Sequence, residues 1–181
     1  MKKAIDTIKN GGIILHQTDT IWGLGADATN IESIKKVYSI KNRKINNPLI
    51  ILVNNVQMLK KYVTDCPDNI LNMINKIGGV ITIIYPNPKN LPQILIQKNS
   101  IAIRITRNKT CKSIITKINK PMVSTSANIS GDPYPKKFSE INKKIKNAVD
   151  YILEDSNKES ISNPSCLYRL NKNEKLEYIN R

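Results

Sequence analysis

Apolar residues along the chain follow two patterns, which alternate from segment to segment. Helical spacing predicts helices over residues 3–9, 31–41 (with Asn30 as its cap), 70–77, 114–118 and 138–145. Short continuous runs predict buried strands over residues 13–15, 48–53, 80–85, 101–105, 122–125, 151–153, 166–170 and 176–179. Because helices and strands alternate while the C-terminal third is mostly strand, the pattern predicts one α/β domain over residues 1–181, with a mixed sheet flanked by helices.

Charge is the strongest bias of the composition. The chain has 29 Lys and Arg against 14 Asp and Glu, which gives a formal net charge of +15. This excess favours polyanionic partners such as RNA and nucleotides. The chain is also rich in lysine, asparagine and isoleucine, which permits a plainer interpretation in which most lysines are only solvated. No RNA-binding motif in the sequence decides between the two.

The sequence gives no sign of a membrane protein or of a secretory leader. The longest apolar runs, such as residues 48–53, are far shorter than the roughly 20 residues of a membrane-spanning helix. Asp6 and Asn10 interrupt the stretch that a signal peptide would keep apolar. We therefore expect a cytoplasmic protein without a membrane partner.

Several kinds of catalytic site are absent from the sequence. Cys66, Cys111 and Cys166 are odd in number and widely spaced, which predicts reduced thiols rather than disulfides or a zinc site. His16 is the sole histidine, so neither a multi-histidine metal site nor a histidine-dependent triad is expected. The chain also lacks a P-loop and a dinucleotide-binding fingerprint. Any chemistry would rest on positioning and electrostatic stabilisation, with no metal held by the protein.

The segment HQTDTIWGLG, residues 16–25, is unusually polar for the end of a buried strand. Side chains alternate in an extended chain, so His16, Thr18, Thr20 and Trp22 are expected on one side. They would form a small polar pocket with an aromatic wall. The alternative is an ordinary strand end, with threonines that favour strands and glycines that serve a turn.

Two other segments could supply polar or charged groups to a ligand. In PMVSTSANISG, alternation points four polar side chains the same way beyond a buried strand, in the crevice where open α/β sheets usually bind ligands: Ser124, Ser126, Asn128 and Ser130. In KNRKINNPL, Lys41 and Arg43 converge only if the helix has ended, and they would then clamp a phosphate. The alternatives are an ordinary loop and a solvated basic helix end.

Taken in order, these segments resemble the YrdC-like family of L-threonylcarbamoyladenylate synthases. TDTIWGLGADA is similar to the family's TETVYGLGADA, and KNRKINNPLII resembles its K-x-R followed by NPL and an apolar strand. SIAIRIT resembles its TVAVR-type strand, STSANISG carries its S-x-N, and NPSCLYRL and YINR resemble its later PST-type strand and closing arginine. The match covers nearly the whole chain, which resembles the single-domain form of the family.

The resemblance implies a twisted open sheet with a positively charged concave surface. It also implies an enzyme that condenses L-threonine, bicarbonate or carbon dioxide, and ATP into threonylcarbamoyl-AMP and pyrophosphate, with Mg²⁺ on the triphosphate. Other proteins would then pass the threonylcarbamoyl group to a tRNA adenosine beside the anticodon, and direct tRNA binding by this chain stays open.

The resemblance assigns a role to nine residues of this chain. The residues expected to contact threonine are Thr18, Arg104, Ser126 and Ser165. The residues expected to contact ATP are Lys41, Arg43, Ser100, Asn128 and Arg181. Lys41 and Arg43 are also the expected catalytic residues, because they would neutralise charge on the phosphates. Trp22 would form a wall of the threonine pocket, and Leu52 replaces a histidine that many members have at the end of the NPL strand.

Two other functions compete with the synthase activity that the resemblance implies. A non-catalytic RNA-binding module of the same fold would use the net charge but would need neither K-x-R nor S-x-N. A carbamoyl transfer like that of the YrdC-like domain in hydrogenase-maturation carbamoyltransferases would be expected in a long chain with zinc-finger cysteines, which this sequence does not have.

Overall fold

The computed structural model describes residues 1–154 and 163–180. Its helices are α1 (Lys2–Lys9), α2 (Ile31–Ile40), α3 (Val56–Lys60), α4 (Ile70–Ile77), α5 (Lys109–Ile118) and α6 (Lys143–Ala148). Its strands are β1 (Ile14–Gln17), β2 (Trp22–Asp27), β3 (Ile50–Val53), β4 (Ile81–Pro86), β5 (Ser100–Ile105), β6 (Met122–Ser126), β7 (Tyr151–Ile152), β8 (Cys166–Leu170) and β9 (Leu176–Ile179). No helix among these residues is long and apolar enough to cross a membrane.

The nine described strands form one sheet, in the order β7-β1-β2-β6-β3-β5-β4-β8-β9. The pairs β1/β7, β3/β5 and β4/β8 are parallel, and the other neighbours are antiparallel. This arrangement confirms the predicted mixed α/β sheet. Strands distant in the chain lie side by side at its centre, where β6 pairs with both β2 and β3.

The two faces of the sheet differ in character. On one face the central strands present fully buried apolar side chains, among them Leu24, Ile51 and Val123, which join the core with side chains of α2. On the other face the same strands present glycine, serine and Arg104, together with apolar side chains such as Leu52. The alternation of a strand therefore separates a packed side from a side that can hold polar ligands.

Asparagine side chains cap four of the described helices. Asn30 accepts hydrogen bonds from Glu32 N and Ser33 N at the start of α2, as predicted. The other three asparagine caps are Asn55 for α3, Asn108 for α5 and Asn142 for α6. The asparagine richness of the chain thus satisfies backbone N–H groups at helix starts, where asparagine is among the preferred residues.

Three elements differ from the sequence prediction. The strand β2 was not among the predicted strands, and it forms because β1 and β6 pair with its backbone on both sides. The short helix α3 was not expected. The single helix predicted over residues 138–145 is instead a 3-10 turn, Phe138–Glu140, followed by α6.

Candidate functional site

A cavity of about 1020 Å³ lies over the polar face of the sheet. Gly23 of β2 pairs with Ser126 of β6, and Ile50 of β3 pairs with Ser124 on one side and Ala102 on the other. All five line the cavity. The cavity lies over the face of the sheet, beside the last residues of β6 but the first residues of β3 and β5, so the crevice expected beyond the carboxyl ends of strands is found for β6 and not for β3 and β5.

Part of the same face is closed by α5. Cys111 of α5 has its Sγ 3.6 Å from His16 Nδ1, and Asn54, just after β3, donates to Thr116 Oγ1 at 2.9 Å. His16 is fully buried, and burial lowers the pKa of its imidazole to about 4, so the ring is neutral. The ring lies against Gly25, where an added Cβ would come within 2.8 Å of His16 Nε2. His16 is therefore a packed core residue and does not join the polar pocket expected for it.

At one end of the cavity Arg104 is buried among hydroxyl groups. It lies on β5 and is 5% exposed. Its Nη2 donates to Ser165 Oγ at 2.8 Å, its Nε to Thr82 Oγ1 at 3.1 Å, and its Nη1 to Thr20 Oγ1 at 3.4 Å. Thr82 and Ser165 are also bonded to each other at 2.8 Å. Arg104 and Ser165 reach the cavity surface, so this end presents a guanidinium fixed in one orientation.

The turn between β1 and β2 brings two threonines to this end. Thr18 Oγ1 donates to the carbonyl of Ile21 at 2.8 Å and accepts from the backbone N–H of Thr20 at 3.1 Å. These bonds bend the chain, so the extended alternation predicted for residues 16–22 is wrong. Both threonines nevertheless line the cavity.

Asp19 fixes this turn to the strand that carries Arg104. Its carboxylate accepts from Thr106 Oγ1 at 2.5 Å, from Arg107 N at 2.7 Å and from Asn108 N at 2.6 Å. Thr106 follows β5 directly. The side chain of Asp19 therefore sets the position of Thr18 and Thr20 relative to the arginine, although it does not line the cavity itself.

At the other end the cavity is bounded by loops. Arg43, beyond the end of α2, donates to the carbonyls of Asn47 at 3.2 Å and Pro48 at 3.0 Å. Asn128 donates to the carbonyls of Ile129 at 3.0 Å and Asp132 at 2.6 Å. Arg43 and Asn128 both line the cavity, together with Ser100 at the start of β5.

Lys41 lies beneath this end rather than on its wall. Its side chain is 1% exposed, and its Nζ donates to the carbonyls of Ser126 at 2.5 Å and Asn128 at 2.7 Å and to Asn128 Oδ1 at 3.2 Å. Burial, followed by the charge of Arg43, lowers the pKa of the amine to about 7. The three oxygen atoms around the amine suit its protonated form. Lys41 thus fixes the loop after β6 to the end of α2.

The wall of the cavity is strongly cationic. Among the described residues that line it, four are basic and one is acidic: Arg43, Lys98, Arg104, Arg169 and Asp132. A concave surface with this excess concentrates anionic ligands.

The structure brings most of the site residues named from the sequence into one cavity. Those that line it are Thr18, Arg43, Ser100, Arg104, Ser126, Asn128 and Ser165. Lys41 contacts two of them from below, and the chain leaves helical geometry at Asn42, which has φ +48°, so Lys41 and Arg43 approach the same site. Arg181 lies outside the described residues. The individual ligand contacts of all nine residues stay predictions.

Two expectations about neighbouring side chains do not hold. Trp22 does not form a wall of the pocket, because it points to the other face of β2, where its ring lies 5.2 Å from that of Phe138. Ser130 does not line the cavity, although its backbone N–H donates to the carbonyl of Lys41 at 2.8 Å. Leu52 is fully buried beside Arg104 in the register of β3 and β5, away from the cavity wall.

Three residues that shape the site were not predicted from the sequence. Thr82 orients Arg104, Asp19 fixes the β1–β2 turn, and Lys98 lines the cavity from a turn before β5. The one sequence signal for Thr82 is a polar residue inside the apolar run VITIIY. Nothing in the pattern distinguishes Lys98 from the many other lysines.

Comparison with known proteins gives consistent matches over nearly the whole chain. The Sua5, YciO and YrdC family model, described as "Telomere recombination", matches residues 6–181. A threonylcarbamoyl-AMP synthase from Wigglesworthia glossinidia brevipalpis is 35% identical over 91% of this chain and 86% of the relative. A putative threonylcarbamoyl-AMP synthase from Methanocaldococcus jannaschii is 34% identical over 93% of this chain and 81% of the relative.

Among solved structures, P. abyssi Sua5 complexed with L-threonine is similar with a TM-score of 0.84 at 24% identity. The similar region covers 93% of this chain and 50% of the Sua5 chain, so this chain spans about half the length of that protein. At this identity the likeness establishes the fold.

Proposed function

This chain belongs to the Sua5/YciO/YrdC family, and we propose that it is an enzyme that makes threonylcarbamoyl-AMP from L-threonine, bicarbonate or carbon dioxide, and ATP. The observation that carries the proposal is the single cavity, which has a fixed guanidinium at one end and loop-borne cationic and amide groups at the other. At about 1020 Å³ it lies at the upper end of ordinary ligand pockets, which suits an amino acid and a nucleotide bound together.

The end around Arg104 fits the amino acid. A guanidinium presents a planar pair of N–H groups that matches a carboxylate, and hydrogen bonds from Arg104 to Thr82 and Ser165 hold it in place. The hydroxyls of Thr18, Ser126 and Ser165 would complete the pocket for the amine and hydroxyl of threonine. The side-chain hydroxyl is the polar group that distinguishes threonine from an apolar amino acid of similar size.

The loop-bounded end fits the nucleotide. Arg43 would pair with phosphate oxygens, while Ser100 and Asn128 would donate or accept hydrogen bonds along ATP. Lys41 would act on the phosphates either directly, after leaving its carbonyl partners, or through the loop that it fixes. We extend the same role to Arg181, as the family motif implies.

The reaction needs no nucleophile from the protein. Threonine's amine adds to carbon dioxide and loses a proton, which gives a carbamate. A carbamate oxygen then bonds to the α-phosphorus of ATP as the bond from that phosphorus to the bridging oxygen breaks, and pyrophosphate departs with the electron pair. The protein would hold the two substrates in line and neutralise the charge that builds on the phosphates. On this proposal the enzyme is a nucleotidyltransferase.

Mg²⁺ would enter with the triphosphate. Among the described residues no cluster of three or more acidic, histidine or cysteine side chains could hold a metal ion, and Asp132 is the one carboxylate on the described cavity wall. Mg²⁺ is commonly held by substrate phosphates with one or two carboxylates. We therefore treat it as part of the substrate.

The product would serve other proteins that transfer the threonylcarbamoyl group to a tRNA adenosine. Because that acceptor and ATP both occur in the cytoplasm, the proposal includes a cytoplasmic location. The net charge of +15 also supports direct contact with tRNA.

The deciding experiment incubates the protein with ATP, Mg²⁺, bicarbonate and one amino acid at a time, and measures pyrophosphate. We expect release with threonine and a product with the mass of threonylcarbamoyl-AMP. Serine, valine and allo-threonine test the pocket in the same assay. Pyrophosphate release that does not depend on threonine would contradict the proposal. Salt-sensitive RNA binding without any ATP turnover would instead favour the RNA-binding module.

A further inference from the structure

A two-residue turn precedes β5 at the edge of the cavity. Gln97 and Ser100 exchange backbone hydrogen bonds, Gln97 N to Ser100 O at 3.0 Å and Ser100 N to Gln97 O at 2.8 Å. Between them Lys98 has φ +46° and Asn99 has φ +51°, so both residues are left-handed. This is the backbone of a type I′ turn, in which asparagine and glycine are preferred at both positions.

Lysine is an unfavourable residue at this position. Asparagine tolerates the left-handed region because its short polar side chain bonds locally, whereas lysine gains no such compensation. A residue held in a sparsely populated conformation is a reason to look for function. Lys98 is exposed and lines the cavity.

The turn is joined to the loop that carries Arg43. Gln97 Nε2 donates to the carbonyl of Ile45 at 3.3 Å and also to that of Asn46. Arg43 itself bonds to carbonyls in the same loop, as described above. These bonds place Lys98 and Arg43 at the same end of the cavity, on two segments that are fixed to each other.

We propose that Lys98 is a further nucleotide-binding residue, which contacts the phosphates of ATP beside Arg43. The inference rests on the proposed function. A lysine amine on a flexible stem is a mobile point charge suited to phosphate, and Arg43 supplies the planar fork that lysine lacks. Ser100, two residues further along, is expected to contact the same nucleotide, so the turn would present both groups to one ligand.

The test is the variant Lys98→Asn, for which the proposal predicts weaker ATP binding together with higher thermal stability. Removal of a charge-assisted contact should raise the dissociation constant of ATP about tenfold, measured by isothermal titration calorimetry. Because asparagine tolerates the left-handed backbone better than lysine, Tm should rise by about 1–3 °C in the same preparation. Lys98→Arg keeps the charge and should bind ATP within about twofold of wild type.

Two control variants separate these effects. Glu174 has φ +55° in the turn between β8 and β9, away from the cavity, so Glu174→Asn should raise Tm without changing ATP affinity. Lys172→Asn removes an equal charge from an exposed position in the same turn and should leave ATP affinity unchanged.

Adenosine, which lacks phosphates, is the second probe. Lys98→Asn should bind adenosine as the wild type does. Unchanged ATP affinity, or equal weakening of ATP and adenosine, would overturn the proposal, and so would a wild-type protein that does not bind ATP. Because these are binding measurements, a protein that binds ATP through Lys98 but releases no pyrophosphate with threonine would uphold this contact and contradict the proposed reaction alone.

Discussion

The two ends of the cavity are built in different ways. At the end around Arg104, Arg104 and Thr82 come from neighbouring strands, Ser165 sits directly before another strand, and Thr20 comes from the β1–β2 turn. These four side chains are buried and bonded to one another. At the end around Arg43 and Asn128, the side chains come from loops, and their bonds go mainly to backbone carbonyls of the same loop. Strand register fixes the first end, and local turns fix the second.

Because of this difference, we expect the two ends to treat their ligands differently. Groups held by strands and by their own neighbours keep their geometry without a ligand, so the arginine end should discriminate sharply between amino acids. Loops adjust at lower cost, so the other end should tolerate small changes in the nucleotide and lose affinity gradually when single contacts are removed.

The largest effect is expected from Arg104→Lys. Lysine keeps the charge but cannot form the planar pair of bonds to a carboxylate or reach Thr82, Thr20 and Ser165 together. We expect kcat/KM for threonine to fall roughly a hundredfold or more, with ATP affinity changed by less than about threefold. Steady-state kinetics with each substrate varied in turn measures both. An equal loss of affinity for threonine and for ATP would show that the two ends do not act separately.

Asp19→Ala tests whether the turn of Thr18 and Thr20 needs its fixed position. The change leaves Thr106 Oγ1 and two backbone N–H groups without their carboxylate partner, and should cost about 2–3 kcal/mol in the free energy of unfolding. Denaturant unfolding measures this cost. KM for threonine should rise at least about fivefold, and KM for ATP should stay near wild type. Asp19→Asn keeps an acceptor for the N–H groups and should lose about half as much stability. Loss of stability with no change in the KM for threonine would limit Asp19 to a structural role.

The third prediction concerns Lys41 beneath the nucleotide end. Burial lowers the pKa of its amine in the folded protein to about 7, below the value of 10.5 expected when unfolded. Above pH 7 the unfolded chain therefore binds more protons at this site, and stability rises with pH until the unfolded lysine also titrates. Between about pH 6 and about pH 8.5, the wild type should gain about 2 kcal/mol in the free energy of unfolding relative to Lys41→Met. If the free energy of unfolding changes with pH in the same way in both proteins, the three acceptor oxygens keep the amine charged.

The smallest effect is expected from Thr82→Val, which keeps the shape of the side chain but removes the hydroxyl that accepts from Arg104 Nε. Without this hydroxyl the guanidinium of Arg104 is less well positioned, so KM for threonine should rise about three- to tenfold, and kcat should change less. Thr116→Val is a matched control, because Thr116 lies on α5 outside the cavity and its hydroxyl accepts a similar hydrogen bond from Asn54. Thr82→Ser should restore most of the wild-type KM. Equal kinetics in the Thr82→Val and Thr116→Val proteins would exclude the positioning role.

Much of the fold follows from apolar spacing, because long helices and apolar strands leave a clear period. The strand β2 does not, since WGLGAD contains two glycines and no apolar run, and its conformation comes from pairing with β1 and β6. The helix α3 has five residues, too few for a period, and begins at the cap Asn55.

The candidate site was predictable where its residues lie in short motifs. Arg104 and Asn128 belong to such motifs, and the structure places both on the cavity wall. The role of Thr82 depends on the pairing of β4 with β5 and β8, which no local pattern specifies. Lys41 belongs to a short motif as well, but its burial beneath the loop after β6 depends on how that loop folds back.

The sheet order has a consequence for how the protein reaches its native state. The cavity floor combines β2, β3, β5 and β6, and β2 pairs with β6 across roughly a hundred intervening residues. Such non-local pairing slows folding, because a long chain segment must close before any contact compensates for the lost entropy. A nascent chain that has emerged only as far as β5 has no partner for the inner edge of β2. The pocket should therefore form late and all at once, and no N-terminal fragment that stops before β6 should retain a partial binding site.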